Sequence, residues 1–140
     1  NHVYALMPHK RTFHTLNPAM MRKNGKPYLV YGTMGGEGQP QTQAAIATRV
    51  VDFGMTPQEA INAPRWLYGR TWGKASNDLK MEGRIPEKVT DELQKRGHPV
   101  KRVDDFTDTM GHAGAILVDQ ETGVLQGGTD PRGDGLAAGY

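Results

Sequence analysis

Cysteine is absent from the 140 residues, which removes disulfides, thiolate nucleophiles and every Cys-based zinc site together. Serine occurs once, as Ser76, in a stretch with no nucleophile-elbow pattern, so a Ser-His-Asp site cannot be assembled. Aromatics are sparse at 7% and hydrophobics reach 36%; no stretch approaches the roughly 18 uncharged apolar residues of a membrane span. Neither sign of charge dominates, 17 Lys+Arg standing against 15 Asp+Glu for a net +2. The basic pairs Lys10-Arg11, Arg22-Lys23 and Lys95-Arg96 are scattered, so no basic stripe suggests a nucleic-acid partner. His2, His9, His14, His98 and His112 include no i, i+4 pair and no carboxylate pattern suited to zinc. No metal and no cofactor is expected.

Present in quantity are 18 Gly and 9 Pro, which punctuate a chain long enough for one domain, residues 1–140. At this size about two-thirds of the unfolded surface is available for burial. The opening run to Pro18 is irregular, dense in His, Pro and Thr and without a leader-like pattern, and reads as a piece of something longer. The closing run from Gly127 to Tyr140 reads as successive turns.

Between them the pattern alternates. Strands are expected over 19–22 and 28–31, joined at Asn24-Gly25, a pair suited to positive φ at both central positions. A glycine-rich loop, Gly32 to Gly38, then opens a helix from Pro40 that stops at Gly54. Thr56-Pro57-Gln58-Glu59 is a capping box for a second helix ending at Ala63-Pro64. Two short strands are expected between Arg65 and Glu82, around a loop over 73–78. A third helix runs from Pro86 to Lys95 with Val89 and Leu93 on one face and Gly97 as its stop. Strands over 100–103, 113–119 and 124–128 follow, the last two joined by a turn. The expected layout is α+β, two or three helices covering a mainly antiparallel sheet.

The strand–glycine loop–helix passage is where chemistry can live. Glycines let a ligand approach the backbone, and first-turn amides have no internal acceptor. The loop matches neither G-x-x-x-x-G-K-[ST] nor G-x-G-x-x-G, which argues against a phosphate cradle. An oxyanion hole made of adjacent backbone N–H groups remains, beside the plainer reading of a tight loop packed on the sheet. His14-Thr15 could present donors to a carboxylate or be ordinary surface residues, and His112 reads as structural. Arg132-Gly133-Asp134, inside Asp130-Pro131-Arg132-Gly133-Asp134-Gly135, reads as a turn held by Asp–backbone and Arg–carboxylate contacts rather than as an adhesion motif.

Three ordered blocks carry a resemblance: Gly32-Thr33-Met34-Gly35-Gly36-Glu37-Gly38-Gln39-Pro40-Gln41, Asp52-Phe53-Gly54-Met55-Thr56-Pro57-Gln58-Glu59-Ala60-Ile61-Asn62-Ala63-Pro64-Arg65, and Gly127-Gly128-Thr129-Asp130-Pro131-Arg132-Gly133-Asp134-Gly135-Leu136-Ala137-Ala138-Gly139-Tyr140. With Glu82-Gly83-Arg84-Ile85-Pro86 and Met110-Gly111-His112-Ala113 between them, the sequence resembles the C-terminal part of the small subunit of the γ-glutamyltranspeptidase (γ-glutamyltransferase) family. The resemblance implies an N-terminal-nucleophile (Ntn) hydrolase with an αββα sandwich, formed by autocatalytic processing of a precursor into a heterodimer. Such an enzyme acts in glutathione metabolism. It transfers a γ-glutamyl group to water or an acceptor amine through a threonine acyl-enzyme.

By that resemblance, Gly35 and Gly36 match the oxyanion-hole pair, and His14-Thr15 the place where two serines hold the substrate's α-carboxylate. His14 departs from that pattern, which admits glutaryl or cephalosporin acylases and poly-γ-glutamate depolymerases as alternatives. No Thr-Thr-His block occurs, so the nucleophile is expected outside these residues and the segment alone is expected to be inactive. The expected partners are the large subunit, the N-terminal part of the small subunit and a γ-glutamyl small molecule; periplasmic or extracellular localisation follows from the family. A non-catalytic interaction module using an exposed sheet face is the reading from a different class.

Overall fold

The computed structural model describes residues 2–139. Seven strands and three α-helices follow in the order β1 (Ala19–Lys23), β2 (Lys26–Thr33), α1 (Gln39–Val51), α2 (Pro57–Asn62), β3 (Trp66–Tyr68), β4 (Leu79–Glu82), α3 (Glu87–Lys95), β5 (Val100–Val103), β6 (Ala113–Val118) and β7 (Leu125–Thr129). Single 3-10 turns cover Gly36–Gly38 and Asp108–Met110.

The local signals act as their chemistry dictates. Asn24 and Gly25 take φ of 52° and 77°, closing the β1–β2 hairpin. Pro40 lies in the first turn of α1, and Gly54 reverses the chain at φ 66°. The Thr56 hydroxyl accepts from the Glu59 N–H while the Glu59 carboxylate accepts from the Thr56 N–H, closing the capping box.

Two sheets form where one was expected. The first is antiparallel, in the order β1-β2-β6-β7; the second, β3-β4-β5, pairs β3 and β4 antiparallel but β4 and β5 parallel. The parallel pair has a topological cause: α3 carries the chain back so that β5 enters in the same direction as β4. The apolar stripe expected on α3 is also only partly used. Val89 stays 39% exposed while Thr90 turns inward, its hydroxyl donating to the Glu87 carbonyl at 2.8 Å.

Alternation along β2 and β6 sets one face of the first sheet inward. Leu29, Ala113 and Ala115 meet Ile46 and Val50 of α1 and Ala60 and Ile61 of α2, all buried. Gly128 of β7 faces the same way and lets α2 approach so closely that a β-carbon there would crowd the Pro57–Gln58 backbone. The opposite face has no covering helix. Met20, Ile116 and Leu125 are exposed on it, and a groove of about 880 Å³ runs between that face and residues 136–139.

Two glutamine side chains act as amide clamps on strand edges. Gln58 donates to the Thr129 carbonyl at 2.8 Å and accepts from its N–H at 3.1 Å. Gln41 does the same to Tyr68, at 2.9 and 2.8 Å. Each side-chain amide thus replaces the peptide group of a further strand. Among the described residues no helix is long and apolar enough to cross a membrane.

Candidate functional site

The glycine loop sits where β2 ends and α1 begins. The Met34 N–H donates to the His112 carbonyl at 3.1 Å, the last link between β2 and the approach to β6. Gly35 then takes φ 141° and Gly36 φ 51°, and the Gly38 N–H closes a tight turn onto the Gly35 carbonyl at 2.8 Å. The N–H groups of Gly35 and Gly36 have no protein acceptor among the described residues. Two adjacent backbone donors are therefore left for a developing negative charge, which is what an oxyanion hole requires.

What holds the loop is steric fit between backbones. The Thr71 carbonyl lies against the Cα of Gly36, and the Met34 carbonyl against the Cα of Gly111, leaving no space for a β-carbon at either glycine. Gly111 itself has φ 75°, a conformation that favours glycine. The Thr71 hydroxyl donates to the Thr109 carbonyl, tying the two flanking segments together.

Behind Gly111 lies a buried ionic cluster. Arg65 donates to the carbonyls of Met110 and Gly111 at 3.2 and 3.1 Å and pairs with Asp130 at 2.6 Å, both side chains only 2% exposed. Asp130 also accepts from the Ala113 and Arg132 N–H groups, at 2.7 and 3.1 Å. Arg132 pairs with Asp130 at 3.0 Å and grips Glu82 with two nitrogens at 2.6 and 2.5 Å. The Arg-carboxylate turn read from the sequence at 130–134 is therefore present, and it reaches much further than the turn.

These two guanidinium groups, with those of Arg49 and Arg84, satisfy the free carbonyls at the C-terminus of α2. Arg49 donates to Ala60, Ala63 and Pro64, Arg65 and Arg132 to Ile61, and Arg84 to Asn62. Burial lowers the Arg65 pKa to about 10 despite Asp130, which leaves it cationic at neutral pH. Burial would raise the Asp130 carboxyl, but Arg65, the two N–H donors and Arg132 outweigh it and hold the pKa below 3.8. For Arg132, burial is outweighed by the bonds to Glu82 and Asp130, and its pKa rises.

In front of the loop is an open cleft of about 550 Å³, lined by Thr15, Gly36, Glu37, Gln39, Arg70 and Trp72 among others. Thr15 and the glycine loop, singled out from the sequence, are thus brought together. His14 is not among the lining residues: it is exposed, and its Nδ1 lies 3.1 Å from the Leu16 carbonyl, a contact that needs the proton on Nδ1. Ser76 stays in its loop, accepting from the Asp78 N–H at 3.1 Å. Sequence reasoning assigned no role to Arg70, Thr71 or Gln39, and named Arg65, Glu82 and Gly111 only as parts of larger blocks. Arg70 and Glu37 pair across the cleft at 3.0 Å. Their separation of 33 residues leaves no periodic signal.

The comparisons with known proteins agree across the chain. The family profile described as gamma-glutamyltranspeptidase matches residues 1–140. The glutathione hydrolase-like YwrD proenzyme of Bacillus subtilis is 59% identical over 99% of this chain and 26% of its own length. The oxamate amidohydrolase proenzyme of Klebsiella pneumoniae is 54% identical over the same shares. Among solved structures, a cephalosporin acylase from Bacillus halodurans superposes with a TM-score of 0.80 at 39% identity, covering 97% of this chain and 24% of that one. The chain therefore spans about a quarter of the length of these relatives.

Proposed function

The chain belongs to the γ-glutamyltranspeptidase family, and from that membership we propose that it is the oxyanion-hole segment of an amide-cleaving enzyme whose nucleophilic threonine lies elsewhere in the polypeptide. The observation that carries the reading is the pair of unpaired N–H groups at Gly35 and Gly36, in a loop backed by close backbone packing whose Gly36 lines the cleft. The threonine oxygen adds to the amide carbonyl, and the carbonyl oxygen takes the negative charge between the two glycine N–H groups. Collapse expels the amine, which leaves with a proton, and forms a threonine ester. Water, or an acceptor amine, then takes the acyl group and restores the hydroxyl.

The proposed substrate is a γ-glutamyl amide such as glutathione. A second reading, cleavage of a shorter or side-chain acyl amide, is favoured by one observation: at position 14 a histidine stands where the family pattern has serine, and it lies outside the cleft lining. The bare face of the first sheet is the surface we assign to the second β layer of the sandwich, contributed by the rest of the enzyme. Residues 1–140 form one unit of that assembly, and periplasmic or extracellular export belongs to the same reading.

The test is turnover by the purified full-length polypeptide. A γ-glutamyl anilide and glutathione should be cleaved after the precursor matures, while residues 1–140 alone should show no hydrolysis. A mature protein that cleaves oxamate or a glutaryl amide but no γ-glutamyl compound would select the second reading. A precursor that never matures and cleaves nothing would sink both.

A further inference from the structure

We propose that Arg70 is a specificity-determining residue that grips a carboxylate of the substrate, with Glu37 serving as the internal carboxylate that holds the guanidinium at the cleft until the substrate displaces it. The inference rests on the amide-cleaving reading above and adds to it the group that selects for negative charge.

The placement is fixed by chain adjacency on both sides. Gly36 and Thr71 touch through their backbones; Glu37 follows the first and Arg70 precedes the second. Among the described residues the formal charges lining the cleft are thus Glu37, next to Gly36, and Arg70, next to the Thr71 that Gly36 touches. Arg70 also donates to the Gly73 carbonyl, which holds its side chain over the cleft wall.

The pair is built to exchange. Nε and one terminal nitrogen of Arg70 both donate to the same Glu37 oxygen, Oε1, at 3.3 and 3.0 Å. The fork that Arg offers to a carboxylate is thus met by a single oxygen rather than two. The two side chains are 37% and 63% exposed, and an exposed ion pair of this kind is weak against a competing carboxylate. The Arg70 hydrogen bond keeps the Glu37 pKa low, so both groups are charged at neutral pH.

Gln39 joins the N-terminal segment to the cleft wall. Gln39 spends its Nε2 on the Thr15 carbonyl at 3.4 Å, and its Oε1 is buried with no donor. Cation and N–H pair together suit a small molecule that carries both a carboxylate and an amide carbonyl.

The test compares wild type, Arg70→Gln, Arg70→Lys and Glu37→Gln in the full-length polypeptide. KM and kcat are measured for a carboxylate-bearing amide and for its neutral methyl ester, and glutarate and oxamate binding is followed by calorimetry. Arg70→Gln should raise KM for the anionic substrate about tenfold or more, the scale of a lost charge-assisted hydrogen bond, and should affect the neutral ester much less, so that the anionic-to-neutral ratio of kcat/KM falls. Arg70→Lys should recover part of the loss, and Glu37→Gln should lower KM or tighten glutarate. If Glu37 and Arg70 form only a structural strap, both variants will move the anionic and the neutral substrate alike, and the proposal falls. Should wild type cleave no amide, the functional reading fails, yet calorimetry still decides the inference: carboxylate binding that is absent, or unaltered in Arg70→Gln, overturns it.

Discussion

A β-carbon built at Gly36 would fall on the carbonyl oxygen of Thr71, and the residue's φ of 51° is strained for any other side chain. Gly36→Ala must therefore push the loop away from its wall and turn one N–H group off target. Turnover by the full-length polypeptide should drop by roughly 10²–10³, the loss typical of one missing oxyanion donor, with less effect on KM. Asp130 is the second decisive residue. Asp130→Asn leaves Arg65 buried beside Arg132 without its anion, a loss on the order of 3–5 kcal/mol, readable as a lower urea midpoint. Because the folded-state Asp130 carboxyl is held below its ordinary value, its contribution is whole at neutral pH, above the unfolded carboxylate range, and is lost as pH falls through the depressed folded pKa. Midpoints measured between pH 7 and pH 2 should show an acid limb that is shallower in Asp130→Asn. The glycine loop from Gly32 to Gly38 was legible in the sequence, because a strand running into glycines and then a helix is a local pattern, whereas the choice of Gly35 and Gly36 within it came from the family resemblance. The Arg65–Asp130 and Glu82–Arg132 pairs join residues 65 and 50 positions apart, and spacing carries no trace of them.

At the scale of elements, α2 is the informative case. Six residues are too few to hold a helix by propensity. A capping box closes its first turn and four arginines take up the carbonyls at its end. The capping box was readable as Thr56-Pro57-Gln58-Glu59, but the arginines were not, since they arrive from α1, β3's approach, the β4–α3 loop and the C-terminal turn. Packing decides the rest. Gly128→Ala would drive a methyl group into the Pro57–Gln58 backbone, and the overpacking should cost about 1–3 kcal/mol, seen as a lower melting temperature. The parallel β4–β5 pair escaped the sequence reading for a related reason: strand direction depends on where a crossover helix returns the chain, and the residues of β4 and β5 look the same in either pairing.

At the scale of the whole molecule the two faces of the first sheet are unequal, one sealed by α1 and α2 and the other carrying exposed Met20, Ile116 and Leu125. Expressed alone, residues 1–140 should sediment above the monomer mass, and an Ile116→Lys, Leu125→Lys double variant should restore the monomer; a wild-type monomer would contradict the assignment of this face to a partner layer.

The glutamine clamps constrain how any such layer is added. With Thr129 and Tyr68 already bonded by Gln58 and Gln41, β7 and β3 cannot template an incoming strand at those positions. The other two borders are guarded by different means, β1 by a bulge beside the cationic Arg22 and Lys23, and β5 by the exposed Lys101 and Arg102. Sideways growth, whether as a strand swap between copies or as the ladder of a fibril, is discouraged on every border. Association is left to flat stacking, face against face.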